Sequence, residues 1–225
     1  MKAVFLGLNE AGEHVYDWLN ERDDVEVLAL LTEKEQLDLI KDLGPDIVIS
    51  SGFRYKVPKN IIEVPEKGVV NLHPSFLPYN RGSHPYIWPL VDDTPAGVSV
   101  HYMNESIDEG DIIDRWRIEK RPEDDSKILR QRLIQAQVEQ FVENWERIKD
   151  GVDGVEQDPK DGTTHSISEL DELAQLDLEA STKVGEFIDK LRALSYTEAG
   201  VAFFEEDGER YFVNLSITPE SEIER

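Results

Sequence analysis

The chain has 225 residues and no cysteine, which excludes disulfide bonds and thiolate metal sites. Acidic residues outnumber basic residues by 48 to 24, and residues 150–225 carry −14 of the net charge of −24, so we expect no nucleic-acid partner, because such binding requires basic side chains. The apolar runs are too short for a signal peptide or a membrane span, so we expect a cytoplasmic protein with no membrane partner.

Short apolar runs alternate with helical patterns through the first third of the chain. The runs KAVFLG, VEVLALL, DIVIS and GVVNLH each predict a buried strand. Between them, EAGEHVYDWLNER and EKEQLDLIKDLG have helical spacing, and the second pattern stops at Gly44 and Pro45. This alternation predicts an α/β fold, a Rossmann-like, mostly parallel sheet with helices on both faces. Ligands bind such sheets beyond the carboxyl ends of the strands.

Two further strands and a long helix follow. AGVSVHYM and DIIDRWRI predict the strands, and SKILRQRLIQAQVEQFVENWERIKDG predicts a helix that closes the core with Ile128, Leu133, Ile134, Val138, Phe141, Trp145 and Ile148. After Gly154 the chain becomes turn-rich. A helical pattern, STKVGEFIDKLRAL, then precedes AGVAFFEEDGERYFVNLSI, which predicts a hairpin around EDGE. We therefore expect a main domain, residues 1–150, and a small α+β C-terminal extension, residues 151–225.

The loop after the first strand, GLNEAG, contains Gly7 and Gly12 but neither a G-x-G-x-x-G pattern nor a P-loop lysine. A nicotinamide cofactor is therefore not expected. Two interpretations of the loop stay open. It is either an ordinary strand-to-helix turn or a site where backbone N–H groups hold part of an anionic substrate.

A polar pair, Asn71 and His73, ends the fourth strand in NLHPSFLPYNRGSHP. Because side chains alternate along a strand, both lie on the same side. An amide N–H and an imidazolium are the donors that a developing oxyanion needs, so we favour a catalytic pair over a structural one.

An acidic loop follows the fifth strand. His101 lies at the end of that strand, and Asp108, Asp111 and Asp114 come after it. Their spacing fits neither an EF-hand nor an octahedral site, so we expect no metal. An ordinary acidic loop in an acidic protein is the alternative interpretation.

Taken together, NLHPSFLPYNRG and GVSVHYMNESIDEGDII resemble the N10-formyltetrahydrofolate-dependent formyltransferase family. The family includes glycinamide ribonucleotide, methionyl-tRNA and nucleotide-sugar amine formyltransferases. The resemblance covers residues 1–150, and DKLRAL with the following hairpin loosely resembles the C-terminal extension of the nucleotide-sugar members. It implies N10-formyltetrahydrofolate as co-substrate, a small-molecule amine as acceptor and no metal. We consider a homodimer as the assembly.

The resemblance also assigns roles to residues. The catalytic set would be Asn71, His73 and Asp108, with His101 orienting Asp108. Asn71 and a protonated His73 would stabilise the oxyanion formed when the amine attacks the formyl carbon, and Asp108 would sustain His73 and receive or relay the proton. The folate pocket would contain Phe53, Tyr55, Val57, Asn104, Ile107 and Gly110, and the amine substrate would contact Asn9, Tyr79 and Arg81.

Departures from the family patterns bear on the acceptor. GLNEAG, with Glu10, replaces the Gly-Ser-Asn phosphate cradle of the glycinamide ribonucleotide members, and the acidic tail differs from the basic barrel of the tRNA members. Because the first strand begins at Lys2, we expect no regulatory domain of the formyltetrahydrofolate hydrolase type. We therefore favour a nucleotide-linked amino sugar, whose base or sugar could stack on Tyr79, Tyr86 or Trp88. A glycinamide ribonucleotide formyltransferase, a hydrolase and a non-catalytic binding module stay open as alternatives.

Overall fold

The computed structural model describes residues 1–158, 160–196 and 201–223. The strands are β1 (Lys2–Leu6), β2 (Glu26–Leu31), β3 (Ile47–Ser51), β4 (Val69–His73), β5 (Arg81–Gly82), β6 (Ala96–Tyr102), β7 (Ile112–Ile118), β8 (Thr164–His165), β9 (Phe203–Glu206) and β10 (Glu209–Phe212). The helices are α1 (Glu10–Asn20), α2 (Leu39–Leu43), α3 (Lys59–Ile62), α4 (Trp88–Val91), α5 (Ser126–Lys149), α6 (Ile167–Ala174) and α7 (Val184–Ala193).

The main sheet has the strand order β2-β1-β3-β4-β6-β7. The first four strands are parallel, whereas β6 runs antiparallel to β4, and β7 runs antiparallel to β6. The loop 103–111 between β6 and β7 is too short for a crossover, so these two strands must pair as a hairpin. The α/β fold with a mostly parallel sheet is therefore confirmed.

Apolar side chains cover both faces of the sheet. On one face Phe5, Ile49 and Leu72 pack with residues of α1 and α5, including Val15 and Phe141. On the other face the alternate residues of the same strands, Val4, Val48 and Val69 among them, pack with Ile40 and Ile61 of α2 and α3. The near-continuous apolar runs read from the sequence follow from this two-sided burial.

The predicted helix EKEQLDLIKDLG is broken in the structure. A 3₁₀ turn at Lys34–Gln36 precedes the short α2, which ends at the left-handed Gly44. The side-chain oxygen of Gln36 accepts hydrogen bonds from the N–H groups of Thr32 and Glu33. This cap ties the chain into a tight turn before the α-helix starts.

Helix α5 closes the core as predicted, but its buried stripe differs from the prediction. Leu129, Leu133, Phe141, Trp145 and Ile148 are buried, whereas Ile128 is 40% exposed, and Ile134 and Val138 are only partly buried. Three amides, Gln137, Gln140 and Asn144, occupy the rest of the buried face. The predicted stripe is therefore rotated around the helix relative to the buried face, because the apolar pattern did not include these inward-pointing amides.

The C-terminal extension packs on the main domain rather than apart from it. Leu170, Ala174 and Leu191 join one hydrophobic cluster with Trp88 and Leu133. The hairpin of β9 and β10 turns at Asp207 and Gly208, both with positive φ, as the EDGE pattern predicted. Ala199 and Gly200, at the start of the predicted hairpin segment, lie outside the described residues. The boundary at residue 150 stays a prediction.

Within the described ranges, no helix combines the length and the apolar character needed to cross a membrane.

Candidate active site

Most of the predicted site residues line one cleft with a volume of about 940 Å³. Asn71 and His73 come from β4, and Asp108 comes from the loop 103–111, which brings its carboxylate within 3.7 Å of His73. The other lining residues are residues 52–57, 103–107 and 164–169, together with Asn9, Leu72, Pro74, Gly82, Ser83 and Pro85. This volume lies in the upper part of the usual range for small-molecule sites.

Asn71 is held in one orientation by His101, its neighbour across the β4–β6 pair. The Nδ1 of His101 lies 2.8 Å from the carbonyl oxygen of Tyr102 and therefore carries the proton. The other ring nitrogen, Nε2, then accepts a hydrogen bond from the Asn71 Nδ2 at 3.1 Å. An amide –NH₂ has two hydrogens, so the second N–H of Asn71 stays available to the cleft.

Burial keeps His101 neutral. It lowers the pKa of the His101 imidazole to about 4, although the nearby Asp108 acts in the opposite direction. His101 Nε2 lies 3.7 Å from the Asp108 carboxylate, farther than from Asn71. The resemblance suggested that His101 orients Asp108, but its closest side-chain partner in the structure is Asn71.

Asp108 is a nearly buried carboxylate in the left-handed conformation, with φ of 54°. Its Oδ2 accepts a hydrogen bond from the Gly82 N–H at 2.9 Å and lies 3.7 Å from the His73 Nδ1. Burial on its own would raise the pKa of Asp108. His73, and after it His101, the Gly82 N–H and the Arg81 guanidinium, together outweigh burial, so the pKa of Asp108 lies below its ordinary value.

His73 lies between two acceptors. Its Nδ1 faces Asp108, and its Nε2 lies 3.3 Å from the carbonyl oxygen of Asn80. The rings of His73 and His101 meet edge-on, with centroids 6.2 Å apart. An amide N–H, an imidazole and a carboxylate thus converge on one cleft, and such a set can stabilise an oxyanion and accept a proton.

Five of the six residues predicted for the folate pocket line the cleft. The rings of Phe53 and Tyr55 pack edge-on, with centroids 5.5 Å apart, and Ile107 is 61% exposed. Asn104 accepts a hydrogen bond from the Ser106 N–H, which shapes the loop. Val57 borders the cleft, but its side chain is buried in the core.

Gly110 does not line the cleft, so its predicted contact with the folate is corrected. It is buried, and a Cβ atom there would overlap the carbonyl oxygen of Tyr102. Its own carbonyl accepts a hydrogen bond from Gln157. Gly110 is therefore required by packing of the loop rather than by a ligand.

Arg81 and Tyr79 are also absent from the cleft lining. Arg81 is 2% exposed, and its guanidinium donates to the carbonyl of Asp161 and to the side-chain oxygen of Gln157. The sequence does not show that Gln157 and Asp161 pair with this guanidinium. The predicted contact of Arg81 with the amine substrate is therefore corrected, whereas the contact of the partly buried Tyr79 stays a prediction.

Asn9 borders the cleft at the start of α1. Its Oδ1 accepts hydrogen bonds from the Gly12 N–H and the Ser51 hydroxyl, both at 2.8 Å. Its neighbour Glu10 instead forms an ion pair with Arg130 at 2.8 Å and does not line the cleft. Glu10 therefore gives no argument against a phosphate at this loop, contrary to our interpretation of the sequence.

The segment 164–169 is the part of the cleft that the sequence reasoning missed. β8 pairs with β5, which places His165 opposite Gly82. The His165 ring stacks on Trp88 at 3.9 Å, so Trp88 is buried and is not available to stack on a base or sugar. The one available signal was the spacing of Ser166 and Glu169, which form the capping box of α6.

Across the described ranges, no cluster of three or more His, Asp or Glu side chains is placed to hold a metal ion.

Two family models match the chain. The model described as formyl transferase matches residues 20–144, and the model described as N-formyltransferase dimerization C-terminal domain matches residues 169–219. The first match contains Asn71, His73 and Asp108. The second begins at Glu169, inside the cleft-lining segment.

Similar proteins include the dTDP-4-amino-4,6-dideoxyglucose formyltransferase of Mycobacterium tuberculosis, which is 30% identical over 80% of this chain and 76% of its own length. The formyltransferase PseJ from Anoxybacillus kamchatkensis, solved with UDP-4,6-dideoxy-4-formamido-L-AltNAc and tetrahydrofolate, is 30% identical with a TM-score of 0.71, over 84% of this chain and 99% of PseJ. A sugar N-formyltransferase from Shewanella sp. shares the fold, with a TM-score of 0.86, 20% identity and coverage of 97% and 98%. The family match over more than half of the chain and the relative 30% identical over 80% of it show that this chain belongs to the formyl transferase family.

Proposed function

We propose that the protein transfers the formyl group of N10-formyltetrahydrofolate to the primary amine of a nucleotide-linked amino sugar. The observation that carries the proposal is the convergence of Asn71, His73 and Asp108 on one cleft. The choice of substrates is supported by the M. tuberculosis relative, whose acceptor is a dTDP-linked amino sugar, and by PseJ, which holds a UDP-linked formamido sugar and tetrahydrofolate.

The chemistry follows from the positions of the donors and the carboxylate. The amine nitrogen attacks the formyl carbon, and a C–N bond forms while the carbonyl electrons move onto oxygen. The free N–H of Asn71 donates to this oxyanion, and a protonated His73 donates to it through its Nε2–H, which exchanges the 3.3 Å contact with the Asn80 carbonyl for the oxyanion. Asp108 accepts the proton that the amine loses, directly or through His73. The bond between the formyl carbon and N10 then breaks, N10 takes a proton, and tetrahydrofolate and the formamide leave.

The two substrates would occupy different parts of the cleft. Phe53, Tyr55 and Ile107 offer apolar and aromatic surface to the folate. The segment 164–169 and the residues Gly82 and Ser83 offer mostly polar groups to the sugar. Reduced folates and nucleotide sugars are cytoplasmic metabolites, so we place the reaction in the cytoplasm. The absence of nucleic-acid and membrane partners stays a prediction.

A turnover assay with purified protein and N10-formyltetrahydrofolate tests the function. We expect formamide formation with dTDP- or UDP-linked amino sugars, at a kcat/KM at least about ten-fold above that with glycinamide ribonucleotide. Consumption of the donor without any amine would identify a hydrolase. Equal turnover of glycinamide ribonucleotide would favour purine synthesis, and an unchanged donor in every reaction would contradict formyl transfer.

We also propose that the protein is a homodimer that associates through its extension. The match to a dimerization domain at residues 169–219 supports this assembly. Apolar side chains of α7 and the hairpin are exposed there, among them Val184, Phe187, Tyr211 and Phe212, the last with 63% of its surface. A two-stranded hairpin has little stability on its own, so a partner that covers these residues would stabilise it.

Phe212→Glu is expected to dissociate the dimer, because it places a charge in the apolar contact. Light scattering should give about twice 25.8 kDa for the wild type and 25.8 kDa for the variant at the same concentration. Leu39→Glu is the control, since Leu39 is also exposed but lies on α2. A monomeric wild type, or a dimeric Phe212→Glu variant, would contradict the proposed interface.

A further inference from the structure

A segment of the extension runs past the loop that carries Asp108. The described part of this crossover segment, residues 155–158 and 160–165, is fixed at both ends. Val155 forms an antiparallel bridge with Ile112 at its start, and β8 pairs with β5 at its end. Neither family match covers it, because one ends at residue 144 and the other begins at residue 169.

Gln157 connects this segment to the Asp108 loop. Its side-chain amide is 6% exposed, and its Nε2 donates to the carbonyl oxygens of Asp108 at 2.9 Å and Gly110 at 2.6 Å. Its Oε1 accepts a hydrogen bond from the Arg81 Nη2 at 3.1 Å. Both the N–H₂ group and the oxygen of the amide are therefore hydrogen-bonded. Two of the three partners, Asp108 and Gly110, belong to the loop, and the third is Arg81.

Asp108 needs an external contact to keep its orientation. Its left-handed backbone is disfavoured for a residue with a Cβ atom, so the surrounding structure must hold it. The Gly82 N–H holds the side-chain end, and Gln157 holds the backbone end. Losing the second contact would let the loop relax and turn the carboxylate away from His73.

We propose that Gln157 is a positioning residue for formyl transfer, which holds the Asp108 and Gly110 carbonyls so that the Asp108 carboxylate stays directed at His73. Arg81 in turn orients the Gln157 amide, and the Asp161 carbonyl accepts a hydrogen bond from the second guanidinium nitrogen of Arg81. The inference rests on the proposed function, in which Asp108 takes part in proton removal. According to this proposal, residues outside the region matched by the formyl transferase model help to orient the Asp108 carboxylate.

Gln157→Met tests the proposal, because it keeps the length of the side chain and removes its hydrogen bonds. We expect kcat to fall at least about ten-fold, while KM for each substrate stays within about three-fold, since Gln157 does not line the cleft. The acidic limb of the kcat profile should also shift, because it reports the His73–Asp108 pair. Glu156→Gln is the control, since Glu156 is the neighbour of Gln157 in the chain but its side chain is exposed.

A double-mutant cycle separates positioning from a merely structural role. If Gln157 acts through Asp108, Gln157→Met should cost less than about two-fold in the Asp108→Asn background. A full additional loss in that background, or an unchanged kcat of Gln157→Met alone, would overturn the proposal. Should Gln157→Met not fold, Gln157→Glu keeps the acceptor for Arg81 but loses the donor, and the same cycle applies to it.

The NMR chemical shifts of the His73 ring at a fixed pH give a readout that needs no turnover, because the Nδ1 faces the Asp108 carboxylate at 3.7 Å. The ring shifts in Gln157→Met should move toward those of Asp108→Asn, whereas Glu156→Gln should leave them at the wild-type values. A wild type inactive toward all amines would contradict the proposed function, while these shifts would still decide whether Gln157 positions Asp108. Ring shifts of His73 in Gln157→Met equal to those of the wild type would exclude that role.

Discussion

Asp108→Asn is expected to lower kcat by at least about a hundred-fold, the scale of a general base. The substitution keeps the shape of the side chain, and its amide oxygen can still accept the hydrogen bond from the Gly82 N–H. What it removes is the negative charge 3.7 Å from the His73 Nδ1. Because the ground state of the bound folate makes little use of that charge, KM for the donor should change little.

The measurement is steady-state turnover of the wild type and the variant over a range of pH. The pKa of Asp108 is lowered, so its carboxylate stays ionised over the working range, and the acidic limb should report His73 and Asp108 as one coupled unit. Asp111→Asn is the matched control, since Asp111 is exposed in the same loop. Asp114 is unsuitable, because its carboxylate accepts hydrogen bonds from Asn144 and from the Arg115 N–H. If Asp111→Asn lost turnover and Asp108→Asn kept it, the assignment of the base would be wrong.

The parts of the site that were predictable from the sequence lie on regular strands or close to them in the chain. Alternation along β4 puts Asn71 and His73 on one side, and the acidic loop after β6 supplies Asp108. Each of these positions follows from a local sequence pattern, because strand geometry fixes the side of the sheet to which each side chain points. The resemblance added the roles, which stay proposals.

The unpredicted parts depend on contacts between distant segments. Arg81 is buried because Gln157 and Asp161 return to pair with its guanidinium, and no local pattern marks a cation for burial. Asn144 of α5 is similar, since it points inward to bind Asp114 on β7. Buried polar groups are mostly hydrogen-bonded, and the partners of Arg81 and Asn144 are far away in sequence. Gln157 belongs to the same class.

His101 shows how a long-range contact changes the interpretation of a site. From its position at the end of a strand it was expected to orient Asp108. The Tyr102 carbonyl fixes its tautomer instead, and burial keeps it neutral, so its free nitrogen holds the Asn71 amide. The amide that we propose as oxyanion donor is thus held in place by a side chain that does not line the cleft.

Asn71→Ala is therefore expected to lower kcat by roughly a hundred- to a thousand-fold, the cost of removing one oxyanion donor. The Asn71 Nδ2 is fixed by His101 at 3.1 Å, so no reorganisation is needed when charge develops on the formyl oxygen. Asn71→Asp should lose as much, because it keeps the shape but replaces the donor with a negative charge. Steady-state kcat and the binding of a non-reactive folate analogue are the two measurements.

The binding measurement separates catalysis from a collapse of the cleft. Both variants should bind the analogue with a Kd within a few-fold of the wild-type value. The hydrogen bond from Asn71 stabilises the oxygen most when that oxygen carries negative charge, which the bound analogue does not develop. Asn20→Ala is the control, because the Asn20 amide is exposed and donates to the Tyr16 carbonyl on the surface of α1. Equal losses of kcat and of analogue affinity would mean that Asn71 shapes the folate site. In that case His73 would be the main donor to the oxyanion.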